Sequence, residues 1–301
     1  MIRFAVFTDL HHDFVPGSIA RLEQFLERVK KEQAEFIVSL GDLCLPVEEN
    51  RCITEKLKEA EVPVYLAVGN HDIEHARKQE VLDFYNLERD YYSFTKGNVK
   101  FIVLNSCYME KNGIERVYYK KEYDKHKDQY PVIPRKELQW LKEEMQDKNQ
   151  YYVIFSHHSL SNDFPRRGIV NREEVRSLLE NRKVLFCMNG HDHGDDYKEI
   201  NGILYYTLNS MTYIWHGMKP LYPYAKELHH EYPLLKDVIL YRDALSCVVE
   251  IEETAEGICV QIRGMESDYD TITPKDAEIG DTWNGVSILP KVSDYSNCAM
   301  K

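Results

Sequence analysis

The sequence predicts an α/β protein built on a largely parallel or mixed β-sheet that is covered by helices on both faces. Two observations carry that expectation. Short apolar runs rich in Val, Ile, Phe and Tyr recur at residues 2–7, 35–40, 63–68, 100–105, 151–155, 184–188 and 203–208, and their lengths suit buried strands rather than helices. Between several of them lie segments with apolar residues every third or fourth position, and such alternation is the pattern of strands joined by covering helices.

The first run, "IRFAVF", is followed by "SIARLEQFLERVKKE" (18–32), which places Ile19, Leu22, Phe25, Leu26 and Val29 on one helical face, with Ser18 as the expected N-cap. "RKELQWLKEEM" (135–145) and "NREEVRSLLEN" (171–181) have the same periodicity. Late in the chain, residues 245–253 and 257–265 read as an antiparallel hairpin across Thr254 to Glu256 that completes a second sheet. Two stretches interrupt the rhythm, 106–134 and 211–243; both are long for plain loops and are candidates for walls over a site. Residues 1–301 read as one domain, with a motif-bearing core (1–215) and a C-terminal segment (216–301) holding a cap-like insertion and the hairpin.

Charge and cysteine usage narrow the function classes. Lys and Arg number 38 against 50 Asp and Glu, a net charge of −12, which argues against a phosphate-neutralising face for duplex nucleic acid. Cys44, Cys52, Cys107, Cys187, Cys247, Cys259 and Cys298 are scattered, with no CxxC pair; the expectation is buried free thiols in a reducing compartment. A strand begins at residue 2 where a signal peptide would lie, and no stretch approaches the roughly 20 apolar residues of a membrane span. The expected setting is cytoplasmic, with no membrane partner.

The residues just past each strand point to chemistry. After "AVFT" come Asp9 and His11, after "FIVSL" Gly41-Asp42, after "VYLAV" Gly69-Asn70-His71-Asp72, after "VIFS" His157-His158, and after "LFCMN" Gly190-His191-Asp192-His193. Alternating α/β folds bind ligands beyond the carboxyl ends of their strands, so these loops should converge in space. Imidazoles mixed with carboxylates suit Zn, Mn, Fe or Co better than Mg or Ca. Asp9, His11, Asp42, Asn70, His157, His191 and His193 supply enough donors for two ions if one carboxylate bridges.

These blocks, D-x-H, G-D, G-N-H-D, a lone H and G-H-x-H in that order, resemble the calcineurin-like metallophosphoesterase superfamily over roughly residues 2–210. The resemblance implies a four-layer α/β/β/α sandwich of two mixed sheets flanked by helices, with the centre at the C-terminal strand ends. It implies that Asp9, His11, Asp42 and His193 hold one transition-metal ion (Mn, Fe or Zn), and that Asp42, Asn70, His157 and His191 hold the other. It further implies hydrolysis of a small phosphorylated substrate, a phosphate ester, by a hydroxide bridging the ions, with His71 assisting the leaving group and Asp72 orienting His71. Ser159 stands where many members have proline, which leaves His157 and His158 as rival ligands, and closeness to the strand end favours His157.

Several neighbours have ordinary explanations. His12 and Asp13 read as supporting or solvent-facing groups, Asp195 and Asp196 as surface carboxylates in a turn, and His229-His230 as surface polarity. Arg166 and Arg167 could fork onto a phosphate or form a solvated pair, Tyr213, Trp215 and His216 could cap a substrate or pack, and Tyr118, Tyr119 and Tyr123 could form a recognition wall. The alternatives to a phosphatase or phosphodiesterase are a nuclease of the same superfamily, a non-catalytic interaction module on this fold, and a metal site without turnover.

Overall fold

The apolar runs become strands Ile2–Phe7, Ile37–Ser39, Val64–Leu66, Val99–Val103, Tyr151–Ser156, Lys183–Asn189 and Ile203–Thr207. The structure is a computed structural model that describes residues 1–118, 130–164, 167–217, 219–255 and 257–300. Its strands form two six-stranded mixed sheets. The first is ordered 295–300, 257–263, 247–253, 2–7, 37–39, 64–66, and the second 196–200, 203–207, 183–189, 151–156, 99–103, 92–96. The strands legible as apolar runs are the parallel ones: 2–7, 37–39 and 64–66 in the first sheet, and 99–103, 151–156, 183–189 and 203–207 in the second. Both faces of such strands are buried, which is why they read as runs without polar interruption.

The helices are α1 (Ser18–Lys31), α2 (Arg51–Lys58), α3 (Asn70–Ile73), α4 (Lys78–Tyr85), α5 (Arg135–Glu144), α6 (Arg172–Leu179) and α7 (Lys226–Glu231). Strand alternation assigns each side chain to a layer. Phe4, Val6 and Val38 of the first sheet meet Phe101, Val103, Val153, Phe155 and Phe186 of the second in one core between the sheets. The outer face of the first sheet, through Ala5, Phe7, Ile37 and Leu66, packs on Leu22, Phe25 and Val29 of α1 and on Ile53 and Leu57 of α2. On the other side Ile102, Tyr152, Ile154 and Cys187 pack on Leu138 and Leu141 of α5 and on Val175 and Leu179 of α6. The result is the four-layer sandwich of two mixed sheets flanked by helices. Each large apolar side chain so buried contributes about 1.5–3 kcal/mol, which gives the strand ends a stiff base.

Four expectations change. Gly17, at φ 78°, occupies the N-cap of α1, and Ser18 is the first helical residue, its hydroxyl 2.6 Å from His12 Nδ1. Asp195 is buried: its carboxylate accepts the Ser293 amide at 3.0 Å and the Ser293 hydroxyl at 2.5 Å, because the C-terminal segment folds over the turn. The hairpin 247–253/257–263 does form, and it pairs with strand 2–7, so it extends the first sheet. Cys259 and Cys298 form a disulfide, whereas Cys44, Cys107, Cys187 and Cys247 are buried free thiols. Strand 295–300 places Cys298 directly opposite Cys259, a pairing invisible without that strand, and disulfides of this kind belong to oxidising compartments.

Of the insertions, the first holds a three-stranded sheet of 108–111, 114–117 and 131–132. The second pairs Tyr213–Trp215 with Val238–Leu240. Tyr119, Tyr123 and Arg166 lie outside the described residues. Among the described residues, no helix is long and apolar enough to cross a membrane.

Candidate metal centre

The loops after the parallel strands are stitched to one another before any side chain is considered. Asp9 N–H donates to the Gly41 carbonyl and His11 N–H to the Asp42 carbonyl, both at 3.0 Å, and Gly190 N–H donates to the His157 carbonyl at 3.1 Å. Glycine is required where two loops touch. A Cβ on Gly69 would lie 2.1 Å from Asp42 Oδ1, and one on Gly190 would lie 2.0 Å from Thr8 Oγ1. The backbone itself turns left-handed at Asp9 (φ 54°), His11 (49°), Asp42 (55°), His191 (65°) and His193 (48°). For residues with a Cβ this costs about 1 kcal/mol or more each and persists only where the surroundings enforce it.

Asp9, His11 and His193 offer ligand atoms that all lie within 4.8 Å of one another, and so do Asp9, Asp42 and His157. His193 Nδ1–H donates to the Tyr213 carbonyl at 2.9 Å, which turns its Nε2 inward, within hydrogen-bond distance of His11 Nε2 at 3.0 Å and 3.2 Å from Asp9 Oδ1. That oxygen of Asp9 is buried without a hydrogen bond among the described residues.

The second half repeats the device. His157 Nδ1–H donates to the Leu40 carbonyl at 2.9 Å. Its Nε2 faces Asp42 Oδ2, Asn70 Oδ1 and His191 Nδ1, each 3.2 Å away. Asp42 Oδ2 is also 3.6 Å from His11 Nε2, so this carboxylate lies between the two groups. His158, the rival, turns its Nδ1 to Ser106 Oγ at 2.7 Å, although it shares a cluster with His157 and His191.

Ring nitrogens and carboxylate oxygens buried this close together need a proton or a metal ion between them. Until an ion binds, a proton serves: burial pushes His157 down, but the Asp42 carboxylate beside it prevails and raises it to about 9. His11 goes the other way, to about 4, through burial, and burial also drives His191 well below its ordinary value. Both stay neutral, the form that binds metal. All seven expected ligands are therefore gathered in one place, and their imidazole–carboxylate mixture fits transition-metal ions.

His71 sits at the mouth, its side chain 31% exposed, with its ring 5.0 Å from His11 and 4.9 Å from Phe14. Its backbone N–H donates to Asp42 Oδ1 at 2.8 Å. Asp72 does not orient it, contrary to expectation. The Asp72 carboxylate accepts the backbone N–H groups of Asp42, Leu43, Cys44 and Gly69 and the Tyr85 hydroxyl, binding two loops together. The carboxylate at His71 Nδ1 is Glu74, 3.2 Å away. Its signal in the sequence is the i,i+3 spacing along α3.

Around the rim, Tyr213 is buried against the rings of His11 and His193, at 5.1 and 4.5 Å. Arg167 donates to the His191 carbonyl at 3.0 Å and so braces that loop. His216 is buried and Trp215 half-buried. Asp13 accepts the Leu45 amide and Asn50, which makes it a loop tether. His229 packs on Tyr222, and His230 is exposed.

Comparison with known proteins agrees with this geometry. The calcineurin-like phosphoesterase family matches residues 2–195. The serine/threonine-protein phosphatase CPPED1 of Rattus norvegicus is 23% identical over 244 residues, covering 72% of this chain and 73% of that protein. In fold, the chain is similar to a dimetal phosphatase from Danio rerio (TM-score 0.56, 15% identity, 90% of this chain and 99% of the other). It is also similar to GAP50, the anchor in the inner membrane complex of Plasmodium (TM-score 0.57, 16% identity, 90% and 89%). The match takes in every one of the strand-end loops described above, and the chain belongs to the calcineurin-like phosphoesterase family, hydrolases that act on phosphoester bonds.

Proposed function

We propose that the chain is a phosphatase of phosphomonoesters that works with two transition-metal ions drawn from Mn, Fe and Zn. Asp9, His11, Asp42 and His193 would hold one, and Asp42, Asn70, His157 and His191 the other. The observation that carries this is the convergence of acceptor atoms, with His157 and His193 each committed through Nδ1 to a backbone carbonyl. Bound there, the ions would lower the pKa of a coordinated water and neutralise charge on the phosphate. The likeness to proteins named serine/threonine-protein phosphatase favours monoesters.

The chain's own groups do the rest. Asp42 holds the His71 backbone through Oδ1, and His71, the exposed member of the set, reaches the departing oxygen. As the bond from phosphorus to that oxygen breaks and one from phosphorus to a hydroxide oxygen forms, the leaving oxygen takes the released electron pair and the proton on His71 Nε2, which solvent then restores. We read residues 1–301 as one catalytic domain, since the late hairpin pairs with strand 2–7.

The test is turnover of a chromogenic phosphomonoester and a phosphodiester by protein stripped with chelator and reloaded with Mn, Zn, Fe, Co or Mg in turn. Monoester turnover restored by a transition metal is the expected result. Protein that takes up two ions yet hydrolyses neither ester would reject the proposal in favour of a binding role.

A further inference from the structure

Glu74 is completely buried, and its carboxylate sits between two imidazoles: Oε2 is 3.2 Å from His71 Nδ1, and Oε1 is 3.2 Å from His75 Nε2. A carboxylate removed from water is costly unless donors surround it, so this placement asks for a reason. Glu74 follows His71 by three residues at the end of α3, and one helical turn stacks the two side chains on one face. His71 is already fixed at its backbone by Asp42 Oδ1, 2.8 Å away, and its ring leans on Phe14 and His11. What those contacts leave open is which ring nitrogen turns toward the substrate.

We infer that Glu74 is a positioning residue for the reaction: its buried carboxylate, 3.2 Å from Nδ1 of His71, pairs with that side of the ring and directs Nε2 to the leaving-group oxygen. The inference rests on the proposed role of His71 as proton donor to that oxygen. With Nδ1 facing a buried carboxylate 3.2 Å away, the ring presents Nε2 to the substrate and needs no reorientation during the step. His75, whose side chain is 52% exposed, closes the far side of the same carboxylate without entering the metal centre. Nothing in the motifs that carry the metal ligands requires an acid at this position; the contact comes from α3 alone.

The experiment compares leaving groups. Metal-loaded wild type, His71→Asn, Glu74→Gln, Glu74→Asp, His75→Gln and the Glu74→Gln/His71→Asn double variant are assayed on 4-nitrophenyl phosphate, phenyl phosphate and ethyl phosphate. Metal content and thermal unfolding are measured for each. A group that protonates the leaving oxygen matters most where the leaving oxygen is basic, so His71→Asn should slow ethyl phosphate about 100-fold or more and 4-nitrophenyl phosphate far less. Glu74→Gln should show the same selectivity at about tenfold, with little change in KM, and no further loss in the double variant. Glu74→Asp, which keeps the charge but shortens the reach, should behave like Glu74→Gln, and it decides the matter if Glu74→Gln does not fold. His75→Gln should stay within about twofold of wild type.

An equal loss on all three esters, or a loss that adds to that of His71→Asn, would overturn the positioning role while leaving the His71 assignment intact. If His71→Asn itself slows all three equally, the proton-donor role has failed, and the role of Glu74 falls with it.

Discussion

His157 Nδ1 donates to the Leu40 carbonyl at 2.9 Å, and this bond decides which nitrogen His157 offers to the centre. Leu40 ends the apolar run that leads to Asp42, so the backbone of a strand end in the first sheet sets the tautomer of one in the second. The lone pair that results faces Asp42 Oδ2 at 3.2 Å, and before metal binds a proton occupies the place between them.

That proton should be measurable. Burial lowers the His157 pKa and Asp42 more than restores it, to about 9 against an ordinary 6.5, so His157 is charged near neutral pH. A metal ion must displace this proton, and loading the stripped protein in weak buffer near neutral pH should release about one proton from this site. Release should vanish above about pH 10, and affinity should fall as pH drops. Loading without proton release near neutral pH would contradict the geometry.

Asp42→Asn should cost more than about 100-fold in turnover and weaken uptake of both ions, because Asp42 lies between the two ligand groups. The remaining core contacts of the sheets are untouched, so far-ultraviolet circular dichroism should match wild type. An Asp42→Asn variant that still takes up two ions tightly would show that Asp42 does not bridge.

Gly69→Ala tests the loop packing. The new Cβ would lie 2.1 Å from Asp42 Oδ1 and 2.3 Å from the Asp42 amide nitrogen, so one loop must shift. Overpacking of this kind costs about 1–3 kcal/mol. The expected outcome is a folded protein with a lower Tm and little metal uptake; near-normal activity would mean that the loops are softer than their contacts indicate.

Glu137 of α5 is fully buried, with Oε1 accepting the Asn105 amide at 2.8 Å and Oε2 without a hydrogen bond among the described residues. Burial raises its pKa well above 4.5. The folded state thus favours the neutral acid, and the contribution of Glu137 is present below pH 4.5 and is lost as pH rises through its folded pKa. Glu137→Gln keeps an acceptor for Asn105 and cannot ionise, so its Tm should exceed wild type by a few degrees at mildly alkaline pH, each kcal/mol moving Tm by roughly 2–4 °C. The difference should disappear near pH 4 or below, as Tm measured across pH will show.

The Cys259–Cys298 disulfide spans 39 residues of chain. In the chain-entropy account, closing a loop of that length is worth roughly 2–4 kcal/mol. Reduction, or Cys298→Ser, should lower Tm without changing turnover per bound metal, since both cysteines lie on the two outermost strands at one edge of the first sheet, away from the centre. An unchanged Tm would place the pairing outside the stability of the fold.

How much of this was legible depended on burial. The parallel strands announced themselves because both faces are covered, and α1, α5 and α6 because one face is. Strand 295–300, "YSNCAM", carries little apolar signal at a sheet edge, and with it went the disulfide. Strand 92–96 and helices α2 and α4 are short and polar-rich and lacked a pattern long enough to count. In the site, the candidate metal donors follow from residue types at strand ends. The swap of Asp72 for Glu74 beside His71 does not, because adjacency in sequence suggested Asp72 whereas a helical turn delivers Glu74.

The left-handed backbone at Asp9, His11, Asp42, His191 and His193 has a further consequence for engineering. At about 1 kcal/mol or more apiece, the distortion is comparable to the whole net stability of an ordinary domain, and the two sheets hold it in place. The centre is therefore not portable. Peptides that copy the five loops, or the same loops grafted onto a loosely packed host, should relax to ordinary conformations and scatter their donors, and transplantation would have to carry the strands along with the residues they aim.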